Sequence, residues 1–387
     1  MKALVVHTSL NACGGGERVA LATVETLKML GFSVTLGTVE PTEWSRVKRL
    51  LAPKYLPDRE VSLLKFKVRA FGIYMRLTSV LIVAWERRGH SISINTHGDV
   101  LPIPCDVTYM HFPTFTLAKL APENQKYIMS TFWKFYFIPY ERIQSAIVKT
   151  LEGTLLLTNS RFSASIIKRF TGFRALVIHP PVDIETFSRA GTTPPESRED
   201  IVVTIGRYNP EKRYELILRI AEQLPDIKFV IAGSVGEALA VRYFEKLRRM
   251  RDRMGLKNVE LLRDVPLSDL LNMLSRSKVY LHAMVNEHFG IAVVEAMAAG
   301  LVPVVHRSGG TYTDVIEMGR YGYAYRGIEE CVKAIQHALS NYKRWYTTVR
   351  RRATSFSKHK FIEKLATVIS KVVEHGDSIR LHQELKY

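Results

Sequence analysis

Three cysteines in 387 residues are too few, and too scattered, for a disulfide framework or a structural zinc site. Cys13, Cys105 and Cys331 form no C-x-x-C spacing, which points to a reducing compartment. No apolar run approaches the ~20 residues that a membrane-spanning helix needs. The start Met1-Lys2-Ala3-Leu4-Val5-Val6 enters a strand pattern directly, without the signature of a signal peptide. The chain lacks a G-x-G-x-x-G dinucleotide fingerprint, a G-x-x-x-x-G-K-[ST] loop and a G-x-S-x-G elbow. No H-x-x-x-H or His/Asp cluster suggests a bound metal. Acid is also scarce. Against 55 Lys and Arg stand 37 Asp and Glu, a net charge of +18 that calls for an acidic partner.

Much of that charge lies between Arg46 and Arg88, where Lys65, Lys67 and Arg69 are among many bases facing only Asp58, Glu60 and Glu86. Phe66, Phe71, Tyr74, Leu81 and Trp85 are interleaved with them. Such a segment suits an amphipathic surface lying on an anionic bilayer. It equally suits a helix packed on its own domain with a solvated basic face. Nucleic acid would also satisfy the charge, but no zinc-finger, RNA-recognition or helix-turn-helix signal accompanies it.

What remains is abundant and ordered. With 47% hydrophobic residues the chain can bury large cores, and its length predicts two domains. Short apolar strands alternate with helical patterns: Lys2 to Thr8, Ser33 to Val39, Ser91 to Asn95, Cys105 to His111 and Leu155 to Thr158 in the first half. A helix is expected from Glu17 to Leu30, and an aromatic helical region from Asn124 to Thr150. The second half repeats the alternation with strands Ile201 to Ile205, Lys228 to Ala232, Val259 to Leu262, Val279 to Met284 and Val302 to His306. Strand–helix alternation implies parallel sheets covered on both faces. The α/β expectation is therefore two doubly wound, Rossmann-like domains facing a cleft. The first spans residues 1–187 on the acceptor side and the second spans 201–360. A Gly/Pro/Ser/Thr-rich linker occupies 188–200, and a helical segment at 361–387 packs back towards the first domain.

Ligands in such sheets bind beyond the carboxyl ends of strands, so residues there are the candidates. Glu287 and Glu295 lie eight positions apart, across a loop-to-helix junction whose helix runs from near Ile291 to Gly300. Backbone N–H groups around Phe289, Gly290 and Ile291 then sit at a helix N-terminus, which attracts anions. Carboxylates beside that point would repel a phosphate at contact and accept hydroxyl groups instead. A sugar joined through phosphate to a nucleoside has both parts. Two solvated surface glutamates would give the same spacing. Arg207 and Lys212 follow the strand Ile201 to Ile205 and suit the two phosphates of a nucleotide diphosphate, unless they are only a basic surface loop. Gly15 and Gly16, in Cys13-Gly14-Gly15-Gly16-Glu17-Arg18, allow close backbone approach after the first strand, as any tight turn would. His111 ends an apolar strand of the first domain, where a structural role is the plainer alternative. No D-x-D triplet occurs, which argues against a metal-chelated nucleotide sugar.

Taken together these motifs resemble glycosyltransferase family 4, retaining enzymes of GT-B type with two Rossmann domains. Glu287 to Glu295 is similar to that family's E-x7-E signature. Gly14 to Val19, Tyr109 to Thr114, Asn159-Ser160-Arg161-Phe162, Pro180-Pro181-Val182-Asp183 and Ser308-Gly309-Gly310 narrow the resemblance. They are similar to its α-1,2-mannosyltransferase branch, which extends dolichol-linked oligosaccharides in protein N-glycosylation. The match runs from residue 1 to about residue 360 and is poor from Glu40 to Ser91.

The resemblance implies a GDP-mannose donor, a lipid-linked glycan acceptor and peripheral attachment to the cytoplasmic face of a membrane. It implies no cofactor and no metal, with the nucleotide sugar as co-substrate. Glu295 would accept the ribose hydroxyls, and Glu287 and His111 would face the donor sugar. Arg207 and Lys212 would neutralise the departing diphosphate; Gly15, Gly16 and the backbone at Phe289, Gly290 and Ile291 would hold the donor. Two rivals remain: a UDP-sugar transferase of the same fold acting on another glycolipid or polysaccharide, and a catalytically silent membrane- or nucleic-acid-binding protein.

Overall fold

The computed structural model describes residues 1–66, 72–116, 131–236 and 238–375. Lys67 and Arg69 of the basic segment, and the first part of the expected aromatic helix, lie outside the described residues. The chain divides into two compact units, Met1–Pro181 with the chain from Lys358 onwards, and Val182–Ser357.

The first unit holds β1 (Lys2–Val6), β2 (Ser33–Thr38), β3 (Arg59–Ser62), β4 (Ile92–Asn95), β5 (Val107–Met110), β6 (Leu155–Thr158) and β7 (Leu176–Val177). They form one sheet in the order β3-β2-β1-β4-β5-β6-β7. Every pairing is parallel, from Lys2 opposite Ser33 to Met110 opposite Thr158. Helices cover it, so the central strands are buried on both faces, and β1 reads as an apolar run after Lys2. The helix Lys358–His375 lays Phe361, Leu365, Ile369 and Val372 into the core beside Val19 and Ala22 of the helix Gly15–Met29. That spacing of three and four is one helical stripe.

The second unit holds β8 (Ile201–Ile205), β9 (Lys228–Gly233), β10 (Val259–Arg263), β11 (Val279–His282), β12 (Val302–His306) and β13 (Tyr323–Tyr325), all parallel in the order β10-β9-β8-β11-β12-β13. In each sheet the order reverses beside the first strand. The reversal lies between β1 and β4 in one and between β8 and β11 in the other. Loops at the carboxyl ends of those pairs diverge to opposite faces and leave a crevice between them.

One expectation needs correction. Residues 188–200 are not a connector between domains. They fold within the second unit as turns at Ala190–Thr192 and Pro195–Ser197, after the helix Ile184–Ser188. The Gly/Pro-rich composition marks turns, and Arg198 fixes them. Its side chain is 4% exposed and donates to the carbonyls of Ala190 (2.8 Å), Thr193 (3.4 Å), Leu274 (3.2 Å), Ser277 (3.0 Å) and Ala299 (2.8 Å). Three of those carbonyls end the helices Leu267–Arg276 and Ile291–Ala298, where a cation relieves otherwise unpaired acceptors. The units divide instead at Pro181/Val182 and at Ser357/Lys358.

The basic segment is made of separate elements. It breaks into the helix Trp44–Leu51, the edge strand β3 and the helix Gly72–Glu86. Several charges are neutralised locally, Arg59 by Glu86 at 3.0 Å and Arg87 by Asp106 at 2.9 Å. The helix Gly72–Glu86 buries Ser79, Ile82 and Val83 and leaves Leu81 and Trp85 exposed.

Replacing Arg198 with Met should strand the helix-end carbonyls and lower the urea midpoint of the whole protein, by about 3 kcal/mol of stability or more. Arg198→Lys should recover little, because a single ammonium cannot reach five acceptors. An unchanged midpoint for the Met variant would make 188–200 a solvated connector after all.

Candidate active site

Lys212 and Glu287 come from loops that follow different strands, β8 and β11, and the sheet reversal makes those strands neighbours. Lys212 ends the short turn Pro210–Lys212, and Arg213 caps it in the left-handed region at φ 54°. The Lys212 ammonium donates to Glu287 Oε2 at 2.8 Å and to Met284 Sδ at 3.3 Å. β11 stops at His282 rather than at Met284, so Met284 belongs to the loop.

The pair is withdrawn from water, with Lys212 and Glu287 side chains 19% and 15% exposed. Burial alone would push the Glu287 carboxyl up. The Lys212 charge, together with His282 and His288, outweighs it and holds Glu287 well below the usual carboxylate range. Glu287 is therefore ionised, and the solvated-surface alternative for it fails.

Two histidines complete the surroundings. His282 is 4% exposed, and its Nε2 lies 3.3 Å from Glu287 Oε2. That contact is off-line, and Nε2 completes no hydrogen bond with any described group. Burial keeps His282 below its ordinary pKa despite the adjacent carboxylate. Burial also pulls His288 down to about 4, with Lys212 adding to the effect. Both imidazoles are neutral near pH 7.

The loop 286–290 leads into the helix Ile291–Ala298 through Gly290, whose φ of 92° is the left-handed region. A Cβ at Gly290 would also meet Thr311 Cγ2 at 2.4 Å. From the other side the Ser308–Gly310 turn locks the loop. Ser308 Oγ accepts the Asn286 N–H at 2.8 Å, and the Gly310 N–H donates to Glu287 O at 2.7 Å. Phe289 puts its ring in the core, 5.3 Å from Phe356, so only its backbone can face a ligand. Glu295 is buried on the first turns of the helix, 8% exposed. Both glutamates act on the Tyr280 hydroxyl, which burial chiefly and then these two carboxylates push up. Arg207 is exposed and forms no ion pair with a described residue. The structure thus brings Lys212, Glu287 and Glu295 around the end of β11 and leaves Arg207 outside their contacts.

The first unit gathers its own residues at its reversal. Gly14 caps the helix Gly15–Met29, and Glu17 Oε2 accepts the Gly14 N–H at 2.6 Å. Glu17 Oε1 lies 3.6 Å from His7 Nε2, and His7 Nδ1 is 3.0 Å from Thr96 Oγ1. Burial opposes the Glu17 charge, yet His7 and the Gly14 N–H bring its pKa down to about 2. His111 Nε2 lies 3.0 Å from the Thr96 carbonyl oxygen. A carbonyl only accepts, so Nε2 carries the proton, and the other ring nitrogen of neutral His111 is the acceptor. A Cβ at Gly16 would sit 3.5 Å from His111 Nε2, which places the glycine turn against the histidine. Gly15 begins the helix beside it.

A family model described as "Glycosyl transferases group 1" matches residues 185–355, the second unit almost entire. Residues 185–355 are thus similar to a group 1 glycosyltransferase domain. Among curated relatives, a Xenopus laevis protein named "GDP-Man:Man(3)GlcNAc(2)-PP-Dol alpha-1,2-mannosyltransferase" is 24% identical, over 86% of this chain and 79% of its own. A Dictyostelium discoideum protein of the same name is 23% identical, over 96% of this chain and 84% of its own. The chain's fold is shared with sucrose-phosphate synthase from Thermosynechococcus elongatus, with a TM-score of 0.72 and 14% identity over 97% of this chain and 100% of that one. A glycosyltransferase from Rickettsia africae gives a TM-score of 0.68 and 15% identity, over 96% and 98%. These likenesses support the two-Rossmann, GT-B reading.

His282, Met284, His7, Thr96 and Glu17 were not singled out from the sequence. The available signal was position, since His7, Thr96 and Met284 follow the carboxyl ends of central strands and His282 ends one.

Gly310 offers a local test of the site. A Cβ there would meet His288 O at 2.1 Å, a backbone atom with nowhere to go. Gly310→Ala should displace residues 286–289 and cut kcat/KM by about tenfold or more, since reacting groups tolerate little misplacement. Unchanged kinetics would show that the loop's position is immaterial to the reaction.

Proposed function

We propose that the transferase moves mannose from GDP-mannose to a lipid-linked oligosaccharide, with retention of configuration and without a metal. The observation that carries this reading is the buried Lys212–Glu287 pair at the sheet reversal, beside a helix N-terminus. The names of the relatives support the donor and acceptor, GDP-mannose and a dolichol diphosphate oligosaccharide.

Lys212 swings from Glu287 to the diphosphate as the bond from C1 of the sugar to phosphate oxygen breaks. The N–H groups at the start of Ile291–Ala298 take part of the same negative charge. Arg207, exposed on the same loop as Lys212, adds a second cation. Glu287, ionised, faces the sugar and stabilises positive charge at C1. Glu295 accepts the ribose hydroxyls. His111 accepts a sugar hydroxyl through the nitrogen not bound to Thr96, and Gly15 and Gly16 admit the donor phosphate to the first unit. The acceptor hydroxyl attacks C1 from the leaving-group side, and its proton passes to the departing phosphate oxygen.

Lys212→Ala should reduce turnover by about 10²–10³, or roughly 3–4 kcal/mol, the loss typical of one preorganised donor. Its melting temperature should be followed in parallel, because it also strands a buried carboxylate. Wild-type transfer should persist in excess EDTA. Loss on chelation with rescue by Mn²⁺ would overturn the metal-free assignment. GDP should raise the melting temperature more than UDP; the reverse order would favour a UDP-sugar donor.

Membrane attachment belongs to the same proposal. No described helix is long and apolar enough to cross a membrane. Phe66, Trp85 and Phe135 of the first unit are 64%, 67% and 73% exposed, and Lys65 adjoins Phe66. Aromatic side chains between cations suit the headgroup boundary of an anionic, cytoplasmic-face leaflet. Vesicles containing phosphatidylserine should bind the protein reversibly. Replacing Lys65, Lys67 and Arg69 with Glu should release it, each cation being worth about 1 kcal/mol, and should slow transfer to lipid acceptors while sparing donor hydrolysis. Binding indifferent to salt and to those charges would remove this segment from the attachment.

A further inference from the structure

The geometry points to His282 as a positioning residue that takes over the Glu287 carboxylate when Lys212 leaves it for the diphosphate. This rests on the donor-site reading above and deepens it. Lys212 and His282 converge on one oxygen, Glu287 Oε2, at 2.8 and 3.3 Å. Among the described residues only Lys212 completes a hydrogen bond there, and the buried His282 Nε2 completes none.

Lys212 has a short reach and one charge. A phosphate drawn towards it competes with Glu287 for that charge, and Glu287 cannot be left alone. An ionised carboxylate this far from water, stripped of the cation that pairs with it, is strongly unfavourable. A neutral imidazole already within 3.3 Å removes the difficulty with a small turn of the carboxylate. It supplies an N–H without adding a positive charge that would compete with Lys212. His282 ends β11, and its backbone carbonyl accepts the Tyr325 hydroxyl at 3.2 Å, so the donor stays in place while Lys212 moves. The unpaired Nε2 and the doubly claimed Oε2 are then two halves of one exchange.

A double-mutant cycle with GDP-mannose tests this, using transfer kinetics and melting temperature on the full-length protein. His282→Phe keeps bulk and removes the donor. It should raise the donor KM and lower kcat/KM by about tenfold, with a melting temperature near wild type. His282→Gln, whose amide nitrogen reaches close to the Nε2 position, should recover most of that loss. In the Glu287→Ala background, His282→Phe should cost nothing further, because nothing remains to be taken over. An undiminished tenfold loss in that background would overturn the proposal. So would a Gln variant that melts like wild type but performs like Phe. Should the Phe variant fail to fold, the Gln variant decides alone: near wild-type kcat/KM supports the exchange, and a tenfold loss overturns it. The donor-site reading fails separately, if Glu287→Ala alone transfers at the wild-type rate.

Discussion

The desolvated ion pair between Lys212 and Glu287 is the constraint on which the second unit's site depends. A buried carboxylate is tolerated only with a partner, and its partner must arrive from elsewhere in the chain. The 75 positions of sequence between these two side chains are bridged by the strand order, which sets β8 beside β11. The pair therefore exists only when the sheet is correctly assembled. Removing either member leaves the other buried and uncompensated, so mutational losses at this site mix chemistry with stability. That is why kinetics and melting must be read together.

The loop carrying Glu287 is held by backbone rather than by side chains. Ser308, Gly309 and Gly310 pack so closely on residues 286–289 that side chains at the two glycines would collide with main-chain atoms. Close backbone approach fixes a loop without filling the space where a substrate must enter. It also explains why a chemically bland Ser-Gly-Gly turn belongs to the site. The first unit uses a different device: Glu17, His7 and Thr96 form a chain of polar contacts behind the glycine turn, and Thr96 sets the tautomer of His111.

What could be read from the sequence was whatever depends on local pattern. Ile201–Ile205 is apolar but for Thr204 because both its faces are covered, and it was legible to the residue. The helix ending before Gly300 was legible because glycine at φ 92° closes it. β3 was missed because Arg59–Ser62, at the sheet edge, has neither an apolar run nor full burial. Residues 188–200 were misread because turn-forming composition is the same in a linker and in a folded corner. What distinguishes the corner is Arg198, whose five carbonyl partners come from three separate stretches of chain. His282 escaped notice for the same reason: its meaning lies in the distance to Glu287, which no spacing encodes.

The ionisation of Glu287 also limits what it can do in the proposed reaction. Held well below the usual carboxylate range by Lys212, it has no proton to give, so it cannot serve as the acid for the leaving group. A nucleoside diphosphate needs no acid from the protein, because cations and backbone N–H groups stabilise its negative charge and the acceptor hydroxyl supplies the proton. An ionised carboxylate facing the sugar then acts electrostatically, opposing the positive charge that builds at C1 as the bond lengthens. In the proposed reaction Lys212 serves both ends of that separation in turn. It keeps the carboxylate ionised before the donor binds, and it follows the charge to the diphosphate as the carboxylate's own work begins.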